Sequence, residues 1–268
     1  MPEGPECYRM AQKLHEWTNG RTISSFEITG GRYLKHGLPT GMESSICLNS
    51  SKVLAVNCKG KLIYWILEND KVILNTLGLK GTWNKSQSKH ADVHFVFEES
   101  NGKPSCVWFK DQIHYGTIQV VTYAGLQKKL KTLGWDCLKP VDDASDGMSL
   151  ERWNELCTKK ASWTFPKLLM NQNCISGIGN YLKAEILYQA KVSPHKCIKD
   201  CSEIEKMNVY DATVSIPKHA LMTKLGTNKG KTFRLKVYGR KKDSRGNVVK
   251  REKTADNRTT HWVSEICS

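Results

Sequence analysis

The 268-residue chain has no run of about 18 apolar residues that could cross a bilayer. Its start also lacks the basic-then-apolar pattern of a secretory signal. No CxxC pair occurs, although ten cysteines are scattered irregularly from Cys7 to Cys267. That spacing argues against a disulfide framework and for reduced thiols, so an intracellular protein is expected. Acidic residues are outnumbered, with 26 Asp and Glu against 41 Lys and Arg, for a formal charge of +15. Such an excess points to a polyanionic partner. No basic amphipathic anchor or lipidation signal accompanies it, so nucleic acid is expected rather than a membrane surface.

The length allows one to three domains. The chain opens Met1-Pro2-Glu3-Gly4-Pro5-Glu6, and removal of Met1 would leave the secondary amine of Pro2 beside a carboxylate. Apolar residues recur at helical steps from Pro5 to Trp17 (Cys7, Met10, Ala11, Leu14, Trp17), and Asn19-Gly20 ends the pattern. Two readings of the opening stand side by side. Proline suits a first helical turn without any chemical role. Equally, the field at a helix N-terminus disfavours a protonated amine and favours its nucleophilic form.

From residue 21 to about 123 the sequence predicts short strands over Ile23–Ile28, Ser44–Leu48, Lys52–Asn57, Leu62–Leu67, Val72–Leu77, Val93–Phe97, Cys106–Lys110 and Thr117–Tyr123. Turn signals such as Gly30-Gly31, Glu68-Asn69-Asp70 and Ser100-Asn101-Gly102 separate them, and a β-sandwich or barrel follows. Gly60 between Lys59 and Lys61 is either a solvated turn or a phosphate contact. Periodicity lapses across 134–147, which reads as a linker. Ser149 then caps an expected helix over Leu150–Cys157, and Phe165–Met170 forms another. Gly177-Ile178-Gly179-Asn180 leads into an apolar helix through Ala190, an N-terminus able to hold a phosphate. The region from Lys224 onward is strongly basic. Strand-like Phe233–Tyr238 and His261–Ile266 around a turn at Ser244–Asn247 predict a small hairpin.

MPEGPE, Gly60-Lys61, LGLKG at Leu77–Gly81, SGIGNYLKAEILYQA and VYGR at Val237–Arg240 follow one another in an order that resembles the Fpg/Nei family of DNA glycosylases. The resemblance extends over essentially the whole chain and fits the endonuclease VIII-like branch. It implies an α+β, multidomain protein: a β-sandwich domain with its N-terminal helix (1–133), the linker (134–147), a helix-two-turn-helix domain (148–223) and a terminal finger (224–268). Damaged double-stranded DNA would lie between the halves of a monomeric enzyme, alongside the genome in a nucleus, cytoplasm or viral replication compartment.

By matching motif positions, Pro2 would be the nucleophile and Glu3 the acid/base group, with Glu6 in support. Lys61 would contact a backbone phosphate and help the reaction, Asn180 and Arg258 would contact phosphates, Leu79 would wedge into the base stack, and Tyr238 would lie in the DNA-binding surface. The implied activity is that of a bifunctional glycosylase and AP lyase working through a Schiff base and β,δ-elimination, with no cofactor. Expected substrates are oxidised pyrimidines, hydantoins and formamidopyrimidines. A non-catalytic binder of damaged DNA and an 8-oxoguanine-preferring enzyme are the alternatives.

The chain departs from the family pattern in two places. Many relatives carry four zinc-binding cysteines in the finger, whereas Lys242–Asn247 occupies the first pair's place and only Cys267 remains, so a zincless finger is expected. The second void-filling loop reads Asp111-Gln112-Ile113-His114-Tyr115-Gly116, which leaves His114 and Tyr115 as alternative substitutes for the usual Arg and Phe. His90 only loosely matches a phosphate-binding histidine.

Overall fold

A computed structural model describes residues 2–99, 105–144, 146–224 and 233–267. The expected turn at Ser100–Gly102, Ser145 of the linker stretch and the basic stretch from Gly226 to Lys231 lie outside the described residues. The chain divides into two compact units. One comprises Pro2 with Glu6–Thr132, the other Glu3–Pro5 with the residues from Leu133 onward.

The first unit begins with helix α1 (Gly4–Thr18), whose opening turn is assigned to the second unit, and continues with strand β1 (Ile23–Ile28) and helix α2 (Gly31–His36). Strands β2 (Val53–Lys59), β3 (Leu62–Leu67), β4 (Lys71–Thr76), β5 (Thr82–Asn84), β6 (Ala91–Phe97), β7 (Cys106–Lys110) and β8 (Thr117–Thr122) follow, and helix α3 (Tyr123–Lys131) closes the unit. The strands form two four-stranded antiparallel sheets, ordered β1-β6-β7-β5 and β2-β3-β4-β8. This is the expected sandwich. In β7 the alternation that sequence reading depends on is visible directly, since Val107 and Phe109 are buried between the partly exposed Cys106, Trp108 and Lys110.

An aromatic cluster fills the core, with Trp83 at 5.4 Å from Trp65, 5.7 Å from Phe95 and 5.0 Å from Phe109 between ring centres. Its indole N–H donates to the buried Asn75 Oδ1 (3.0 Å), while Asn75 Nδ2 donates to the Thr117 carbonyl (2.9 Å), so this polar group is satisfied inside the apolar core.

Three local expectations need correcting. Ser45–Leu48 is a 3₁₀ turn rather than a strand, because the chain must reverse there. The Cys47 amide bonds back to the Ser44 carbonyl (3.2 Å), and Ser50, at φ +59°, directs its own amide to Ile23 (2.8 Å). Helix α3 was not foreseen, although Thr122 caps it by accepting from the Gly125 amide (3.1 Å). Strand β5, three residues long, also escaped the pattern.

In the second unit, β9 (Trp135–Asp136) lies within the stretch read as linker, yet it pairs in parallel with β10 (Ile175–Ser176). Helices α4 (Leu150–Lys159) and α5 (Phe165–Met170) stand at the expected places, and Ser149 Oγ accepts from the Arg152 amide (3.3 Å). Helix α6 (Asn180–Ala190) is buried on nearly every side, and α7 (Glu203–Lys224) packs beside it.

The terminal hairpin is formed by β11 (Lys250–Lys253) and β12 (Thr259–Trp262), with Lys250 opposite Trp262 and Lys253 opposite Thr259. It is therefore displaced from the predicted hairpin. Phe233–Tyr238 is not a strand, because the amides of Lys236, Val237 and Tyr238 are all taken by one carboxylate, that of Glu185 (2.8, 3.0 and 2.9 Å). Ser244–Asn247 does turn, with Gly246 at φ +91° and the Asp243 carboxylate accepting from the amides of Arg245 and Asn247. Only the first two residues of His261–Ile266 belong to a strand, and the Ile266 amide turns back to Val263 (3.2 Å).

Candidate functional site

Four of the residues singled out from sequence lie in the first unit. Pro2 is half-buried just ahead of α1, and Glu6 occupies that helix's first turn. Lys61 stands at the tight β2–β3 turn, which Gly60 makes possible with φ +57°. Leu79 sits half-buried at the apex of the Leu77–Gly81 turn, closed by the Gly81 amide on the Leu77 carbonyl (2.8 Å). Next to this turn lies the loop from Asp111 to Gly116. A side chain on Gly78 would come within 2.5 Å of the Gly116 nitrogen. Asp111 is buried and shapes that loop by accepting from the Gly116 amide (2.5 Å), which leaves Tyr115 65% exposed.

The other four lie in the second unit, and here the structure alters the expectation. The N-terminus of α6, read as a phosphate cradle, is already filled by an internal carboxylate. Glu3, 1% exposed, accepts from the amides of Gly179 (Oε2, 2.8 Å), Tyr181 (Oε1, 2.9 Å) and Leu182 (Oε2, 3.2 Å). An ionised carboxylate is acceptor-only and matches a ring of N–H donors at the positive end of a helix. The Gly4 amide adds a bond to the Gly177 carbonyl (2.8 Å), which pins the backbone beside Glu3 to the same turn. Asn180 keeps a different capability. Its Oδ1 is buried with no hydrogen-bond partner among the described residues, so the carboxamide is not used for local capping.

Tyr238 is half-buried, 4.8 Å from the His261 ring and 6.4 Å from that of Tyr181. Burial raises its hydroxyl pKa, and the negative charge of Glu3 adds to the effect. Arg258 is exposed on the turn between β11 and β12. Beneath it lies an ion pair that sequence reasoning missed: Lys183 Nζ meets Asp256 Oδ2 at 2.6 Å, with side chains 0% and 4% exposed. Desolvation pulls the Lys183 pKa down, and Asp256 and Glu3 oppose that pull. The signal was present as Lys183 and Glu185, two charges within an otherwise apolar helical run, where burial demands partners.

Among the described residues no group of His, Cys, Asp and Glu side chains is placed to hold a metal ion. Residues 233–266 contain no cysteine, and the buried Cys267 thiol faces the Leu187 carbonyl at 3.9 Å. One thiol cannot satisfy a structural zinc ion. His195 Nε2 meets Glu252 Oε2 at 2.8 Å.

Comparison with known proteins matches three consecutive family models. They are the formamidopyrimidine-DNA glycosylase N-terminal domain (residues 1–118), its H2TH domain (140–232) and its C-terminal domain (227–267). Formamidopyrimidine-DNA glycosylase of Listeria innocua is 27% identical over 259 residues, covering 90% of this chain and 89% of its own. Endonuclease 8 of Pectobacterium carotovorum is 24% identical over 254 residues, covering 91% and 90%. Among solved structures, Lactococcus lactis Fpg in complex with oxidised-pyrimidine-containing DNA superposes with a TM-score of 0.81 over 100% of both chains, at 22% identity. The chain therefore belongs to the Fpg/Nei family and is a DNA glycosylase of base excision repair.

Proposed function

We propose that this chain removes oxidised bases from duplex DNA and then cleaves the strand, using Pro2 as nucleophile once Met1 is removed. The Pro2 nitrogen attacks C1′ of the damaged nucleotide, and the bond to the base breaks, with its electron pair leaving on the base. Ring opening gives an iminium ion that acidifies C2′. Loss of that proton and departure of the 3′ phosphate is the β-elimination, and loss of the 5′ phosphate is the δ-elimination. Glu3 serves the proton transfers and Glu6 supports the site. Lys61, Asn180 and Arg258 hold phosphates, while Leu79 occupies the gap left by the everted base.

The observation that carries this reading is the fixing of Glu3. The residue next to Pro2 in the chain is buried and held by three backbone amides, so its carboxylate has a defined place beside the nucleophile's point of attachment. Preorganisation of that kind is what a proton-transfer group requires. The lesions favoured are oxidised pyrimidines, hydantoins and formamidopyrimidines. Support for this preference comes from the MPEGPE opening and the altered loop from Asp111 to Gly116.

Borohydride trapping on duplexes carrying an abasic site or dihydrouracil tests the chemistry. The protein beginning at Pro2 is expected to give a covalent complex, and Pro2→Gly or an N-terminal extension to give none. Full-yield trapping by the extended protein would sink Pro2 as nucleophile, and lesion binding without trapping would mark a non-catalytic binder. Faster excision of 8-oxoguanine than of dihydrouracil would reverse the substrate assignment.

A further inference from the structure

We propose that Lys183 is a positioning residue for Arg258, acting through Asp256. The inference rests on the phosphate contact proposed above for Arg258. Lys183 lies fully buried in the first turn of α6, where a lysine removed from water requires a partner, and Asp256 Oδ2 supplies it at 2.6 Å. The other carboxylate oxygen organises the turn that carries Arg258. Asp256 Oδ1 accepts from Thr254 Oγ1 (2.6 Å) and faces the Arg258 amide at 3.4 Å. The Thr254 amide donates to the Arg258 carbonyl (3.1 Å), and the Thr254 hydroxyl meets Thr260 Oγ1 (2.7 Å). Asn257, at φ +60°, completes a backbone path with few alternatives.

An apolar residue at position 183 would fill the same volume without choosing where the turn docks. A buried cation selects one docking, because the Asp256 carboxylate must come down onto it. The same helix holds Glu3 at its first turn, so Lys183 sets the finger turn relative to the end of α6 that carries Glu3 and Asn180. Without the ammonium group, Asp256 turns out to water and the turn carries Arg258 away from the phosphate.

The test is the salt dependence of binding to a duplex containing a tetrahydrofuran abasic analogue, with full-length protein, for wild type, Arg258→Ala, Lys183→Met and the double variant. One lost phosphate contact lowers the log–log salt slope by about 0.9, so between 50 and 200 mM salt the variant's affinity falls about 3.5-fold less than the wild type's. Arg258→Ala and Lys183→Met should each show this change, and the double variant no more than either. Asp256→Asn, nearly isosteric, should do the same and serves if Lys183→Met does not fold. A shallower slope in Arg258→Ala beside wild-type slopes in Lys183→Met and Asp256→Asn overturns the inference alone, as does an additive double variant. An unchanged slope in Arg258→Ala overturns the phosphate reading and the inference with it.

Discussion

The Gly179 amide donates to Glu3 Oε2 at 2.8 Å, and the approach is so close that a Cβ on Gly179 would lie 2.4 Å from the Glu3 carboxyl carbon. Gly179 has φ −131°, a conformation open to any residue, so space alone keeps it glycine. Gly179→Ala is therefore expected to displace Glu3 and slow single-turnover base release by about 10²-fold or more. Base release at the wild-type rate would show that Glu3 need not occupy this position.

Glu3→Gln keeps the volume but turns an NH₂ group toward backbone N–H donors. Expected effects are a loss of about 1–3 kcal/mol in stability, read from the urea midpoint, together with loss of base release. Unchanged stability would contradict the three amide contacts.

The one carboxylate that α6 itself carries, Glu185, has a structural role. Glu185→Ala strips three amides, those of Lys236, Val237 and Tyr238, of their acceptor at once. A loss of about 3 kcal/mol or more is expected in denaturant unfolding. A loss below about 1 kcal/mol would mean that the segment finds other acceptors.

His261 links stability to pH. Burial pulls its pKa below 6.5, with the positive charges of Arg251 and Lys183 acting in the same direction. As pH falls through about 6.5 the unfolded chain takes up the proton first, so stability present above that pH erodes below it. His261→Gln should flatten the pH dependence of the melting temperature below pH 6.5 relative to wild type. An identical slope would remove His261 as the cause. His94 in the first unit, also lowered by burial, contributes with the same sign.

Burial pushes the Cys157 thiol up to about 12 and Cys201 up to about 11. Neither should react with iodoacetamide at pH 8 except at the rate at which the second unit opens. Rapid labelling of either in the folded protein would contradict their packing.

The sequence disclosed most where signals are local. Alternation in β7, the Ser149 cap and the apolar run of α6 each depend on residues a few positions apart, and the structure keeps them. Helix α7 carries an equally local signal. Ser202 and Glu205 form a reciprocal cap, with the Glu205 amide on Ser202 Oγ (3.2 Å) and the Ser202 amide on Glu205 Oε2 (2.6 Å). What could not be read is nonlocal. Glu3 meets amides 176 to 179 positions away, and Phe233–Tyr238 has a strand's composition but gives its amides to Glu185. Side-chain capture of backbone donors leaves no periodic trace.

Helix α6 binds Glu3 at its first turn, Asp256 through Lys183 and the 236–238 segment through Glu185, all within eleven residues. Partial fraying there would release the Glu3 carboxylate and the finger together, so this enzyme has no cheap intermediate in which one is lost and the other kept. Its α6 amides should exchange with solvent deuterium only through opening of the entire second unit, making this helix the slowest-exchanging element of that unit.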